Sequence, residues 1–315
     1  MSVVYIDQEA VHYEVLGKGR PVLFLHGWLG SWRYWLPSME IASTYFRTYA
    51  FDLIGFGDTQ QRSVEPSIGA YGDQVIRFLD ALGIERITLV GHSMGGMVAL
   101  NTAIEHPERI ERVVTVGAPI VGSSLALLLK LTAFQPIARG MNTFPKLTQR
   151  MFRYFLKETN EHDMLEILED SVKPTADSVR ASVRSMMRTD LRPDLPRLRV
   201  PSLVIHGTRD DIVKPNQIDV IHRAMLVSPY LRQLSIEGSR HFPWADQPDQ
   251  FHPPLLAFLR APLADLLPDE PAPAADRPAI ASAAPQPEPT LTLAAPAMPQ
   301  TALVTPTPDT ADQAA

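Results

Sequence analysis

The chain has 315 residues, 45% of them hydrophobic, enough for one α/β core plus an insertion or a tail. A net charge of -6 with 29 basic residues scattered along the sequence offers no basic block for a phosphate backbone, so nucleic acid is not an expected partner. Cysteine is absent, which removes disulfides, thiol catalysis and cysteine-held metal.

The N-terminus, Met1 to Ala10, carries acidic residues and no apolar core, so it does not read as a secretory signal. No stretch reaches the length needed to span a bilayer, and a cytoplasmic protein is expected. Strands are predicted at Val3 to Ile6, Val11 to Leu16, Val22 to Leu25, Thr48 to Phe51, Ile87 to Val90, Val113 to Val116, Leu203 to Ile205 and Leu231 to Ile236. Val22 to Leu25, Val113 to Val116 and Leu203 to Ile205 are continuously apolar, as strands covered on both faces must be. The expectation is an α/β fold with a mostly parallel eight-stranded sheet.

After the strand at Ile87 comes Gly91-His92-Ser93-Met94-Gly95-Gly96, then the helix-forming Met97-Val98-Ala99-Leu100. Strand, sharp turn and helix with GxSxG at the apex describe a nucleophile elbow, whose strained turn exposes the serine hydroxyl above the sheet. Gly91 and Gly95 admit the crowding of that turn, and Gly96 lets the helix approach still closer.

From about Pro119 to Pro196 the βα alternation stops. Helical patterns such as Met151 to Lys157, Met164 to Glu169 and Ala176 to Arg188 follow without convincing strands, and strands resume at Leu203. The segment reads as a helical cap inserted after the sixth strand. The predicted division is a first part of the core at 1–118, the cap at 119–196, a second part of the core at 197–264 and a tail at 265–315. In the cap, Leu125 to Leu131 is strongly apolar, with Phe134 and Met141 beyond it. Packing against the core is the simplest expectation, and a lining for an apolar acyl chain the second. Arg180, Arg184 and Arg188 recur every four residues along one helix face, expected to be solvated rather than a carboxylate or phosphate clamp. Eleven of the 29 prolines lie between Pro268 and Pro308. That composition cannot offset its ordering entropy, and a disordered tail outside the site is expected.

A serine hydroxyl needs a histidine to take its proton. In the fold the elbow suggests, the order is serine, acid, histidine, each on a loop at the carboxyl end of a strand. Of nine histidines, His222, His241 and His252 lie late enough. His222 falls in the helical run after Pro215 and His252 at the start of the last helix. His241 alone lies just past a strand. The acid should also follow a strand. Gly117-Ala118-Pro119 offers none, whereas Leu203 to Ile205 leads to the adjacent Asp210 and Asp211, the second of which also suits a solvated or helix-capping carboxylate. An oxyanion hole needs two backbone N–H donors, expected from Met94 and from Trp28 in the loop His26 to Ser31. These two amides are also the predicted substrate-binding groups. His26, ahead of the serine in the chain, is expected to buttress that loop.

His26-Gly27-Trp28, the turn Asp52 to Thr59, the elbow, Gly207-x-x-Asp210-x-x-Val213 and His241 followed by Asp246-Gln247-Pro248 together resemble the α/β-hydrolase superfamily, over residues 1 to about 262. The resemblance implies the α/β-hydrolase fold, with helices on both faces of the sheet. Its spacing selects Asp210, three residues after Gly207, over Asp211, and it places the Asp52 to Thr59 turn at the floor of the site. One departure is that Gly238 is separated from His241 by Ser239 and Arg240, where the family usually has glycine directly before the histidine. The implied activity is hydrolysis of an ester or thioester of a small to medium apolar acid through an acyl-enzyme, with Ser93, Asp210 and His241 catalytic. A carbon–carbon bond hydrolase of ring-cleavage-type diketones is the alternative, and a slow-turnover or non-catalytic ligand-binding receptor is the alternative of a different class. Dehalogenases and epoxide hydrolases of this fold use aspartate where this chain has Ser93. No metal or organic cofactor is implied, and the expected partner is a small apolar acyl substrate.

Overall fold

The computed structural model describes residues 2–268 except 7–8, 60–64, 156–160, 214–216, 218, 221–222 and 224–228. His222, Pro215, Lys157 and the Pro-rich tail from 269 onward therefore lie outside the described residues, whereas the predicted tail boundary at 265 falls inside a short helix, Leu263–Leu266, that buries Leu266.

Eight strands form one sheet: β1 (Ser2–Ile6), β2 (Glu9–Leu16), β3 (Pro21–Leu25), β4 (Arg47–Phe51), β5 (Ile87–His92), β6 (Ile110–Val116), β7 (Ser202–Gly207) and β8 (Leu231–Ile236). Their order is β1-β2-β4-β3-β5-β6-β7-β8. β2 runs antiparallel to β1 and β4, and every other pair is parallel. All eight predicted strands are present, most extended by one to three residues at their ends. β5 and β7 are buried along their whole length, as strands covered on both faces are.

The connections explain where a site forms. From β3 the chain moves to β4 on one side and then crosses to β5 on the other. Outside the carboxyl ends of the strands at such a reversal the loops diverge and leave a crevice. The register aligns those ends: Leu25 lies beside Gly91, His92 beside Val116, Val116 beside Ile205, and Gly207 beside Ile236. The loops leaving β3, β5, β6, β7 and β8 thus open at one edge of the sheet.

Helices α1 (Leu36–Ser43), α2 (Ile68–Ala81) and α3 (Met94–Glu105) follow β3, β4 and β5. The Ser67 hydroxyl starts α2 by accepting the Ala70 N–H. Between β6 and β7 lie α4 (Leu127–Leu131), α5 (Gln135–Thr143), α6 (Pro145–Phe155), α7 (Glu161–Asp170) and α8 (Ala176–Arg188). The last coincides with the predicted span, and the Thr175 hydroxyl caps it. α6 begins six residues before the predicted Met151, because Pro145 at its first turn needs no hydrogen-bonded N–H.

The apolar run at Leu125 packs on the core only in part: Leu125 belongs to the core, and Leu129 and Met141 pack against it. Leu125 is buried, but Leu127 is 72% exposed, and Leu128, Leu131 and Phe134 are exposed too. A five-residue helix has only one side to turn to the core, and four of the five residues of α4 are leucine, so some of them are left facing water. Among the described residues, no helix is long and apolar enough to cross a membrane.

Candidate active site

Ser93 sits between β5 and α3 with φ 50° and ψ -116°, a left-handed conformation that a residue with a Cβ adopts only under constraint. Its neighbours supply the constraint. A Cβ on Gly91 would stand 2.2 Å from the Gly95 carbonyl oxygen, and one on Gly96 would stand 2.6 Å from the Ala118 Cβ. A Cβ on Gly95 would meet the carbonyl oxygens of Leu25 and His26, both at 2.5 Å. Gly95 therefore makes room for the end of β3 as well as for the elbow. The Ser93 N–H is held by the Val116 carbonyl at 2.8 Å.

His241, on the loop after β8, has Nδ1 2.8 Å from Oδ2 of Asp210, on the loop after β7. Oδ1 of Asp210 accepts the N–H groups of Ile212 and Val213, each at 2.9 Å. Burial would push the Asp210 carboxyl up, but the His241 ring with its hydrogen bond, the nearby His206 and the Val213 N–H hold it below the usual carboxylate value. An ionised Asp210 accepts, so Nδ1–H of His241 donates, and Nε2 is left as the basic nitrogen. Asp211 points elsewhere, forming an ion pair with Arg240. The two residues that separate Gly238 from His241 are thus accounted for. Arg240 holds Asp211, its N–H donates to Asp246 at 2.8 Å, and the Ser239 and Arg240 carbonyls pack where a Cβ on Gly207 would be. His252, the other late histidine described, pairs with Ser38 at 3.0 Å within the helix Pro248–Arg260.

Ser93 and His241 line one cavity with Trp28, Tyr34, Leu128, Leu129, Ile167 and Phe242, among others. Its empty volume is about 640 Å³, counting the open space at its mouth. No Lys, Arg, Asp or Glu is among the described residues that line it. The loop after β3 crosses close to the serine, since a Cβ on Gly27 would stand 3.0 Å from the Ser93 Cβ. The turn Gly27 to Gly30 is closed by a 3.1 Å hydrogen bond and carries Leu29 at φ 60°. Trp28 is the second residue of that turn and lines the cavity. Met94 opens α3, and its N–H is among the first-turn donors that an α-helix leaves without an internal partner. Met94 is fully buried and is not among the described residues that line the cavity.

His26 is a buttress, as expected. Its Nε2 accepts the Leu53 N–H at 2.9 Å and its Nδ1–H donates to the Gly27 carbonyl at 2.8 Å, while burial lowers its pKa to about 4. The Asp52 to Thr59 turn supports the loop rather than flooring the cavity. No residue of it lines the wall, and the Asp52 carboxylate accepts the N–H of Trp32 at 2.9 Å and of Asp58 at 2.8 Å. Desolvation pushes this carboxyl up to about 7.

Three residues join the site that the sequence pattern did not single out. Tyr34 Oη accepts the Gly27 N–H and donates to Nδ1 of His92 at 2.9 Å. Nε2–H of His92 then donates to the His241 carbonyl at 3.0 Å. This chain ties the β3 loop, the elbow and the β8 loop together, and burial keeps His92 neutral by pulling its pKa well below the ordinary value. Gly117, at φ +56°, leaves the space beside the pair: a Cβ there would stand 3.2 Å from His241 Nδ1 and 3.3 Å from Asp210 Oδ2. Only its glycine identity at a strand end was a signal.

The family model for the alpha/beta hydrolase fold matches residues 20–248. An uncharacterised protein of Mycobacterium tuberculosis is 29% identical over 259 residues, 76% of this chain and 75% of that protein. A putative carbamate hydrolase of Caulobacter sp. is 28% identical over 221 residues, covering 66% and 80%. Among solved structures, the enol-lactonase of Burkholderia xenovorans superposes with a TM-score of 0.70 at 21% identity, over 82% of this chain and all of that one. That likeness concerns the fold.

Proposed function

Because the chain belongs to the α/β-hydrolase family and is a hydrolase, we propose that it cleaves an ester or thioester of a small to medium apolar acid through an acyl-enzyme. The observation that carries this reading is the buried 2.8 Å pair of His241 and Asp210 opening on the same cavity as the strained Ser93.

Ser93 Oγ attacks the substrate carbonyl as Nε2 of His241 takes its proton. Asp210 fixes the ring through Nδ1–H and stabilises the imidazolium that forms. The Trp28 and Met94 amides hold the oxyanion of the tetrahedral intermediate, a contribution of about 2.7–4 kcal/mol per donor in enzymes of this kind. His241 returns the proton to the leaving alcohol or thiol, leaving Ser93 acylated. Water, deprotonated by Nε2, then attacks the acyl carbonyl and restores the serine.

The apolar wall supports an apolar acyl group. It argues against the ring-cleavage diketone acids, whose carboxylate would meet no cationic side chain among the described lining residues. We also propose that 119–196 acts as a cap, on the support that Ala126, Leu128, Leu129, Thr132 and Ile167 contribute to the cavity wall together with the loops of the core. A relative named as a putative carbamate hydrolase agrees with attack at an acyl carbon. The test is labelling by a fluorophosphonate, followed by turnover of p-nitrophenyl esters of graded chain length and of a vinylogous diketone acid. The expected result is labelling lost in Ser93→Ala and turnover of the esters alone. An unlabelled wild type would overturn the nucleophile, and labelled protein without turnover would leave a receptor in its place.

A further inference from the structure

Fourteen large hydrophobic side chains are exposed over the described chain, and nine of them belong to the helices between β6 and β7 or their immediate flanks. Leu127, Phe134, Phe144 and Leu147 are each more than 60% exposed. They lie on or beside α4, α5 and α6, three short consecutive helices. The neighbouring Leu128, itself 45% exposed, also lines the cavity that holds Ser93. Leu128 thus carries exposed apolar surface to the mouth of the site. Patches of this kind on soluble proteins mark interaction surfaces.

The charge on the same segment is one-sided. Between Pro119 and Lys157 there are six Lys or Arg residues and no Asp or Glu, in a chain whose net charge is -6. On the adjoining α8, Arg184 and Arg188 line a surface groove with Phe134 and Met187, and neither forms an ion pair among the described residues. The arginine row read from the sequence as a solvated face is thus set beside the exposed apolar side chains.

We propose that the α4–α6 face, with Arg184 and Arg188 at its side, docks on an anionic phospholipid surface. Projecting leucine and phenylalanine side chains next to Arg184 and Arg188, which form no ion pair among the described residues, are the composition of an interfacial segment, although Glu169 of α7 shares a groove with the α6 cations Lys146, Arg150 and Arg153. The apolar groups enter the headgroup boundary, and each cation near the surface adds attraction to the anionic lipid. A soluble acidic partner would use the cations but would leave the projecting side chains without an apolar environment. Docking this face brings the cavity mouth to the bilayer, so the substrate class becomes an ester carried by a lipid. That consequence rests on the hydrolase reading, whereas the docking does not.

Flotation of the full chain with phosphatidylcholine vesicles, with and without phosphatidylglycerol, tests it. Wild type and Ser93→Ala should both float with the phosphatidylglycerol vesicles, less as salt is raised, and remain behind with phosphatidylcholine alone. Arg184→Gln with Arg188→Gln, and separately Leu127→Ser with Phe134→Ser, should each weaken partitioning by about tenfold or more. All four side chains are exposed, so these variants should fold, which circular dichroism checks. Failure of wild type to float overturns the proposal. So does full flotation of the Leu127→Ser, Phe134→Ser variant, which would show that the cations hold the vesicle without the apolar face. Flotation of Ser93→Ala with loss of fluorophosphonate labelling shows docking and hydrolysis to be separable.

Discussion

Oδ2 of Asp210 stands 2.8 Å from Nδ1 of His241, while its chain neighbour Asp211 turns to Arg240. Adjacent carboxylates with opposite orientations make a discriminating pair of variants. Asp210→Asn should lower kcat by on the order of 10³- to 10⁴-fold, because an amide has no charge to stabilise the imidazolium and its N–H can hold the ring in the wrong tautomer. Asp211→Asn, removing a partly exposed ion pair, should cost on the order of 1 kcal/mol of stability and leave kcat within a few-fold. Steady-state kinetics with a p-nitrophenyl ester and chemical denaturation measure both. Equal loss of kcat in the two variants would refute the assignment of Asp210.

The φ of 50° at Ser93 predicts a separation of stability from activity. Ser93→Ala and Ser93→Gly should both be inactive. Glycine relieves the left-handed strain and alanine does not, so the glycine variant should be the more stable of the two by about 1 kcal/mol. Thermal denaturation of the two side by side is the measurement.

Gly117→Ala places a methyl group beside both members of the His241–Asp210 pair and forces a positive φ on alanine. It should lower kcat at least tenfold, with a stability loss of about 1 kcal/mol. KM should change little, because Gly117 is not on the cavity wall. A kcat that stays at the wild-type value would remove Gly117 from the site.

Asp52 sets a pH dependence of stability. Its carboxyl titrates at about 7 in the folded protein against 3.8 when unperturbed, because burial penalises the charge. Between those values the folded chain keeps a proton that the unfolded chain has lost. The stabilisation is complete below about 3.8 and is lost as pH rises through about 7. Melting temperatures of wild type should therefore fall from pH 5 to pH 8 more steeply than those of Asp52→Asn, which has no proton to lose there. Parallel profiles would exclude Asp52 as the cause.

Periodicity and spacing in the chain fixed much of this architecture. Strands such as Val22 to Leu25 announce themselves because a strand covered on both faces must be apolar at every position. The elbow is legible because Gly91, Gly95 and Gly96 answer a local steric demand. His241 follows from chain order, and Asp210 from its distance to Gly207 together with a family resemblance. Other features depend on contacts between segments far apart in sequence. The link from Gly27 through Tyr34 and His92 to the His241 carbonyl joins residues from 27 to 241, and no local pattern records it. The space that Gly117 leaves for the pair is likewise set by two loops that arrive from β7 and β8. The leucines after Leu125 show the opposite failure. Apolar composition predicts burial, but no residue of the five-residue α4 is fully buried, and only packing decides which leucines face water. Sequence thus determined the sheet and the elbow, because they answer to period and to local sterics. Tertiary structure alone decided which groups hold His241 in place and which apolar side chains stay at the surface, because both depend on distances between parts of the chain that the sequence keeps apart.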